Sequence, residues 1–263
     1  MIMIYSYGIT LLIVCPLVFL AGFIDSIAGG GGLISLPAYI FAGLPVHTAN
    51  GTNKFASCFG TGVAVFNYAR NRRIHIKAAI AGVMGALPSS WMGTQLALSL
   101  SPRVLQIFMM IILPVVAVFV IANKGIVRET NEGELPEKPL CIVAFFTGLV
   151  VGAYDGFFGP GTGMFMTLLL TGLARLELVK AAGTTRVLNF SSNIASLTGW
   201  ILGGKVLFSL AIPCMICSIA GNYLGSRLAI KNGRKIIKPI ILVVAVLLFI
   251  RIITDLFFSA SPN

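Results

Sequence analysis

GFIDSIAGGGGLIS, residues 22–35, returns as GAYDGFFGPGTGMF at residues 152–165, so that Asp25 matches Asp155, Gly29 matches Gly159 and Gly31 matches Gly161 at an offset of 130. Two further blocks follow in the same order. ANGTNKFAS at 49–57 returns as AAGTTRVLN at 181–189, with Gly51 on Gly183, Thr52 on Thr184 and Lys54 on Arg186, and WMGTQLALSLSPRVLQ at 91–106 returns as YLGSRLAIKNGRKIIK at 223–238; both offsets are 132. Ordered blocks at a nearly constant offset make the chain two diverged copies of one unit.

The unit is a membrane unit. Hydrophobic residues are 57% of the 263 and charged residues only 10%, against about 25% charged in an average soluble domain. Water-facing exteriors have no use for that much apolar surface, whereas lipid accepts it. Each half divides into the same five apolar elements: roughly 7–24, 33–43, 55–69, 78–98 and 104–122, then 140–154, 164–174, 187–202, 206–228 and 239–258. A membrane-spanning helix needs roughly 20 mostly apolar residues. The second element of each half is too short and pairs with the first as a broken helix or re-entrant hairpin around the glycines. The expected fold is an all-α polytopic membrane protein with 8–10 transmembrane segments. The polar stretch 123–139 between the repeats at 1–122 and 140–263 reads as an acidic linker; the stretch from Asn123 to Leu140 holds four of the eight acidic residues. The first apolar run lacks a basic leader and a small-residue cleavage site, so it reads as a retained helix.

The net charge of +11 suggests nucleic acid until its distribution is followed. The basic residues sit in short loops (Arg70, Arg72, Arg73 and Lys77; then Arg227, Lys231, Arg234, Lys235 and Lys238) without interleaved aromatics, as the positive-inside bias of cytoplasmic loops requires. In the first half the basic loop follows the third element; in the second half it follows the fourth. That shift inverts the copies relative to each other, the architecture of many secondary transporters, and puts the linker in the cytoplasm with both termini outside.

Five cysteines at irregular spacing make no disulfide framework, and Cys214 and Cys217 read as packing residues. His47 and His75 read as loop residues without ligand partners, so no metal is expected. No Ser-His-Asp arrangement emerges, and GGGG lacks the GK[ST] ending of a phosphate loop. The sequence thus speaks against an enzyme and asks for no cofactor. Pro88, Pro114 and Pro213 fall inside apolar segments, and Trp91, Trp200 and Tyr5 read as interfacial or packing aromatics.

Candidate site residues lie on the repeated blocks. Asp25 and Asp155 stand at the ends of apolar helices, where an ionisable group is costly and usually paired or functional; the readings are proton coupling or gating, or capping of the next half-helix. Gly30, Gly31 and Gly32, with Gly161, Thr162 and Gly163, would offer backbone N–H groups to an anion at a half-helix start, or serve close helix packing. Lys54 and Arg186 each follow a G-T-x triplet. With Thr52, Asn53, Thr184, Thr185 and, one turn on, Ser57 and Asn189 (Asn193 lies four beyond Asn189), they would suit an oxyanion through charge-assisted hydrogen bonds. The alternative is that both cations snorkel to opposite interfaces as topology anchors. The expected partners are the lipid bilayer, a small anion and, as coupling ion, protons; homo-oligomerisation is left open.

At these blocks the sequence resembles the TauE/SafE family, the sulfite-exporter-like or toluene-sulfonate-uptake permeases. The resemblance is carried by DSIAGGGGLISLP, ANGTNKFAS, RNRRIHIKAA, DGFFGPGTGMF and AAGTTRVLN and runs from about 8 to 256. It implies a multi-pass transporter of the bacterial plasma membrane for sulfite, sulfonates or related sulfur-containing anions, with about eight transmembrane segments. An alternating-access carrier is the expected mechanism; a passive anion channel built from the same residues is the alternative.

Overall fold

A computed structural model describes residues 6–105, 107, 133–241 and 243. Nearly all of the predicted fifth elements (104–122 and 239–258), the linker residues 123–132, and Tyr5, Pro114 and Asp255 lie outside the described residues. Among those described, eight helices are bounded at both ends, four per half: α1 (Tyr7–Ala28), α2 (Gly32–Phe41), α3 (Val46–Arg70), α4 (Ile76–Ser99), α5 (Glu137–Phe157), α6 (Thr162–Gly172), α7 (Leu178–Leu202) and α8 (Phe208–Asn232); residues 102–105 and 234–241 are helical as well.

Local chemistry sets the breaks. Gly29 ends α1 at φ 76° and donates its N–H to the Asp25 carbonyl at 2.7 Å, the left-handed stop that glycine adopts most readily. His75 Nδ1 accepts from the Ala78 N–H at 3.2 Å to start α4, and the Glu177 carboxylate accepts from the Val179 N–H at 3.2 Å to start α7. With 10 and 11 residues, α2 and α6 are roughly 15–17 Å long, about half the hydrocarbon thickness. They fold back as the second arms of two glycine hairpins.

Both third elements begin earlier than the apolar pattern indicated, at Val46 and Leu178 rather than near 55 and 187. Their first turns are polar but buried, so apolarity marked the wrong boundary. His47 consequently belongs to α3, not to a loop; it is buried, with Nε2 3.1 Å from the Ala97 carbonyl and its ring edge-on to buried Trp200. Among the described helices, α1, α5 and α8 are long and apolar enough to cross a membrane. Helices α3 and α7, at 25 residues, have the length but carry their polar residues into the interior.

Packing brings helices of different halves together. The main partner of α1 is α8, and that of α4 is α5. Each pair runs parallel. Tyr7 donates to the Ser209 carbonyl at 2.7 Å and Gly22 abuts Ser218, while Lys77 meets Glu137 at 2.6 Å and Gly85 abuts Phe145 and Leu149. Glycines at the seams leave no room for a Cβ: Gly148 lies against the Gly82 carbonyl and Gly221 against that of Phe19, the close contact that small residues allow between membrane helices. Helices α3 and α7 pass antiparallel through the centre, with Gly183 against Arg73 near the end of α3 and Gly51 against Trp200 near the end of α7.

The surface is apolar, and the largely hydrophobic interior also holds polar and charged side chains. Leu12 is 76% exposed, Met92 69% and Val150 64%, whereas Lys54 is 4% and Arg186 1%. A soluble protein shows the opposite profile. All five cysteines are free thiols. The ends of α3 and α8 and the starts of α4, α5 and α7 gather at one end, joined by Lys77–Glu137, Arg73–Glu177 and Lys180–Glu134 and by Gly233 beside Val179. That end carries Arg70, Arg72, Arg73, Lys77, Lys138, Lys180 and Lys231.

Candidate functional site

The two hairpins meet tip to tip at the centre of the protein. Met164 donates its N–H to the Gly29 carbonyl at 2.8 Å, and a Cβ on Gly29 would strike the backbone of Gly163 and Met164. Helices α3 and α7 flank the junction and bring Lys54 and Arg186 to it from within their third turns.

Each cation pairs with the carboxylate of the other half. Lys54 Nζ lies 2.8 Å from Asp155 Oδ2, and Arg186 NH1 lies 2.9 Å from Asp25 Oδ2. The pairs are reciprocal, because Lys54 matches Arg186 and Asp25 matches Asp155 in the repeat. Further bonds hold the groups in place. Lys54 donates to Asn193 Oδ1 at 2.9 Å, Ser192 donates to Asp155 Oδ2 at 2.6 Å, and Arg186 also donates to the Asp25 carbonyl at 2.8 Å. Both cations are buried and spent on these pairs, which argues against the snorkelling alternative. The capping reading of Asp25 coexists with its ion pair, since Oδ1 accepts from the Gly31 N–H at 3.2 Å.

A small cavity lies between these pairs. Its walls include Asp25, Asn53 and Lys54 from the first half and Asp155, Asn189 and Asn193 from the second, with Gly32, Ser57, Gly159, Thr162 and Gly163 completing them. The structure therefore brings together at one cavity Gly32, Asn53, Lys54, Thr162, Gly163 and Asn189 of the expected binding residues, and both aspartates. Gly31 borders an adjoining cavity. Gly30 is buried in the first hairpin turn, Gly161 starts α6 at φ 83°, and Arg186 stands behind Asp25 against Gly163.

Thr52, Thr184 and Thr185 have other partners. Thr52 Oγ1 accepts from the Leu207 N–H at 3.1 Å, and Thr184 Oγ1 accepts from the His75 N–H at 3.0 Å. These positions correspond across the repeat, so each threonine ties a central helix to the N-cap of the fourth helix of the opposite half. Thr185 faces α6, its Oγ1 3.2 Å from that of Thr167. Thr52→Val and Thr184→Val should each cost about 1–3 kcal/mol, the desolvation penalty of an N–H left without its acceptor, with transport retained; thermal unfolding beside an uptake assay checks both halves of that statement.

Sequence reasoning noted Asn193 four residues beyond Asn189 without carrying it into the binding set, and it did not single out Ser192. The available signal was position: Asn193 stands seven residues beyond Arg186 in one helix, hence on the same face. The four charges sum to zero, and with three of the four nearly excluded from solvent their mutual attraction is little screened. An anion added to such a neutral cluster would have to displace a carboxylate from a cation or arrive with a positive charge.

The family described as Sulfite exporter TauE/SafE matches residues 14–252. The chain belongs to the TauE/SafE family. It is similar to the probable membrane transporter protein ORF9 of Sinorhizobium sp, at 36% identity over 240 residues and 90% of each chain. It is likewise similar to the probable membrane transporter protein YfcA of Escherichia coli (strain K12), at 32% identity over 90% of this chain and 87% of YfcA. A probable membrane transporter protein of Haemophilus influenzae is 31% identical over 90% of this chain and 92% of its own length. No solved structure matches. As a member of the TauE/SafE family, with helices apolar enough to span a bilayer, the chain is a membrane transporter.

Proposed function

We propose that this TauE/SafE transporter carries small sulfur-containing oxyanions, sulfite or simple sulfonates, by alternating access between two inverted repeats at 1–122 and 140–263. The observation that carries the reading is the crossed pair Lys54–Asp155 and Arg186–Asp25 around a cavity between two glycine hairpins. An oxyanion suits Lys54, Asn53, Asn189 and Asn193, which offer charge-assisted and amide hydrogen bonds from converging directions. Both cations are already neutralised, so the anion takes Lys54 when Asp155 lets it go. A proton on the carboxylate achieves that release and keeps the buried charge at zero, which gives Asp25 and Asp155 a part in coupling or gating.

The antiparallel course of α3 and α7 and the exchange of packing partners between halves support the inverted arrangement. The basic residues gathered at one end favour that end, and linker residues 133–139 beside it, as cytoplasmic; the resemblance to bacterial relatives favours the inner membrane.

A thermal-shift series on the detergent-solubilised chain with sulfite, sulfate, thiosulfate and small sulfonates tests the substrate class. A ligand at 100 times its Kd stabilises by about 2.7 kcal/mol, a shift of roughly 5–10 °C for a chain of this size. Sulfite or a sulfonate is expected to give it, and the shift should vanish in Lys54→Gln. No shift with any of these anions would remove the proposed substrate class. In proteoliposomes, concentrative uptake abolished by a protonophore is the expected carrier behaviour, whereas high conductance in a planar bilayer would make the protein a channel.

A further inference from the structure

The repeat is not symmetric in its side chains around the two carboxylates. Asp155 is sealed at 2% exposure, while the Asp25 side chain keeps 20%. The difference comes from the fourth helix of each half. Beside Asp25, α8 presents Ser218 and Asn222; 132 positions earlier, α4 presents Ala86 and Ser90. Ser90 spends its hydroxyl on the Ser192 carbonyl at 2.7 Å, and Gly156 packs directly on the Ser90 backbone. The Asp25 end instead keeps a second cavity, between α1, α2, α3 and α8, which shares Asp25, Asn53 and Ser57 with the central one.

The side chains of that cavity are rich in oxygen and include neither lysine nor arginine. Asp25, Ser35, Asn53, Ser57, Ser218 and Asn222 border it. Two side-chain carbonyl oxygens there have no hydrogen-bond partner among the described residues, Oδ1 of Asn53 and Oδ1 of Asn222, although Asn222 is only 1% exposed. The Asn222 amide orientation is set by chemistry: Nδ2 donates to the Ser218 carbonyl at 2.9 Å, which can only accept, so Oδ1 is the atom left over. Buried amide oxygens are rarely left without a donor or a cation. The space fits an occupant about the size of one water molecule, too small for an organic group.

We propose that this cavity is a sodium site, formed by Asp25, the Oδ1 atoms of Asn53 and Asn222, and the hydroxyls of Ser57 and Ser218, on the Asp25 side of the central cavity. Hard cations take oxygen ligands of this mixed kind, and a small cavity favours sodium over potassium. Like the proton proposed for Asp155, a sodium ion beside the charge-neutral anion site supplies positive charge to offset an incoming oxyanion. That role as co-ion rests on the proposed anion transport; sodium binding does not.

The test is therefore made with sodium alone. Radiolabelled 22Na+ binding to the purified full-length chain, at ionic strength held constant with choline chloride, is expected to saturate and to compete poorly with K+. Asn222→Ala and Ser218→Ala should each weaken binding at least tenfold, while Ser90→Ala, at the matched position of the other half, leaves it unchanged. No saturable binding to the unmodified chain, or binding untouched by Asn222→Ala and Ser218→Ala in folded protein, overturns the site. Oxyanion-dependent thermal shifts in sodium-free buffer would then still stand, so failure of the sodium site and failure of the anion reading are told apart.

Discussion

Replacing Lys54 with Gln is expected to abolish transport and to destabilise the protein by about 3–5 kcal/mol, because Asp155 is left buried without its cation. The carboxylate would retain only the Ser192 hydroxyl at 2.6 Å among its described partners. Asp155→Asn should destabilise for the mirror reason, leaving the Lys54 ammonium with Asn193. The informative protein is the double variant Lys54→Gln/Asp155→Asn. Removing both charges removes the uncompensated one, so thermal stability should return to near that of the unmodified chain while transport stays lost. Melting temperature and proteoliposome uptake, measured on all three variants, separate the roles. Uptake by the double variant at the unmodified rate would show that the pair serves folding only. Failure of stability to recover would show that the amides cannot share the geometry of the ion pair.

The second large effect is expected at the hairpin tips. Gly29 has φ 76°, and an added Cβ would strike the Gly163 backbone. The left-handed conformation costs alanine about 1–2 kcal/mol, and overpacking adds about 1–3 kcal/mol. Neither neighbour is the yielding end of a side chain. Gly29→Ala should therefore push the tips apart, break the Met164 N–H to Gly29 carbonyl bond, and lower the melting temperature by several degrees or prevent recovery of folded protein. Gly163→Ala adds a clash with the Arg186 guanidinium and should affect the Asp25 pair as well. Gly8→Ala, where nothing among the described residues lies within 4 Å of the new Cβ, is the control. It should be neutral or slightly stabilising, since alanine favours helix more than glycine does. A Gly29→Ala protein that melts and transports like the unmodified chain would mean that the hairpins need not touch.

Much of this was legible in the amino-acid order. The membrane class follows from the scarcity of charge, and the hairpins follow from glycine clusters between an apolar run and one too short to cross. Lys54, Arg186, Asp25 and Asp155 stand out because a repeat displays them twice. What could not be read was a boundary: residues 46–54 and 178–186 look like polar connections, yet each is the start of a buried helix. Apolar pattern reports the faces that meet lipid, and α3 and α7 lie largely inside. For the same reason Thr52 and Thr184 looked like substrate ligands, although their hydroxyls hold backbone N–H groups of the opposite half.

By itself the sequence determined that the chain is duplicated, that it lives in a membrane, and that four ionisable residues recur on the repeated blocks. These depend on composition and order, which are local properties. Only the tertiary structure decided who pairs with whom. Arg186 meets Asp25 across 161 residues, and nothing in either neighbourhood names the other. The crossing arises because α3 and α7 pass antiparallel between two opposed hairpins, so each cation faces the carboxylate of the other copy. The unequal ends, Asn222 and Ser218 against Ser90 and Ala86, were present in the sequence as substitutions within a repeat. They became a site on one side and a seal on the other only when α8 and α4 packed against the two carboxylates.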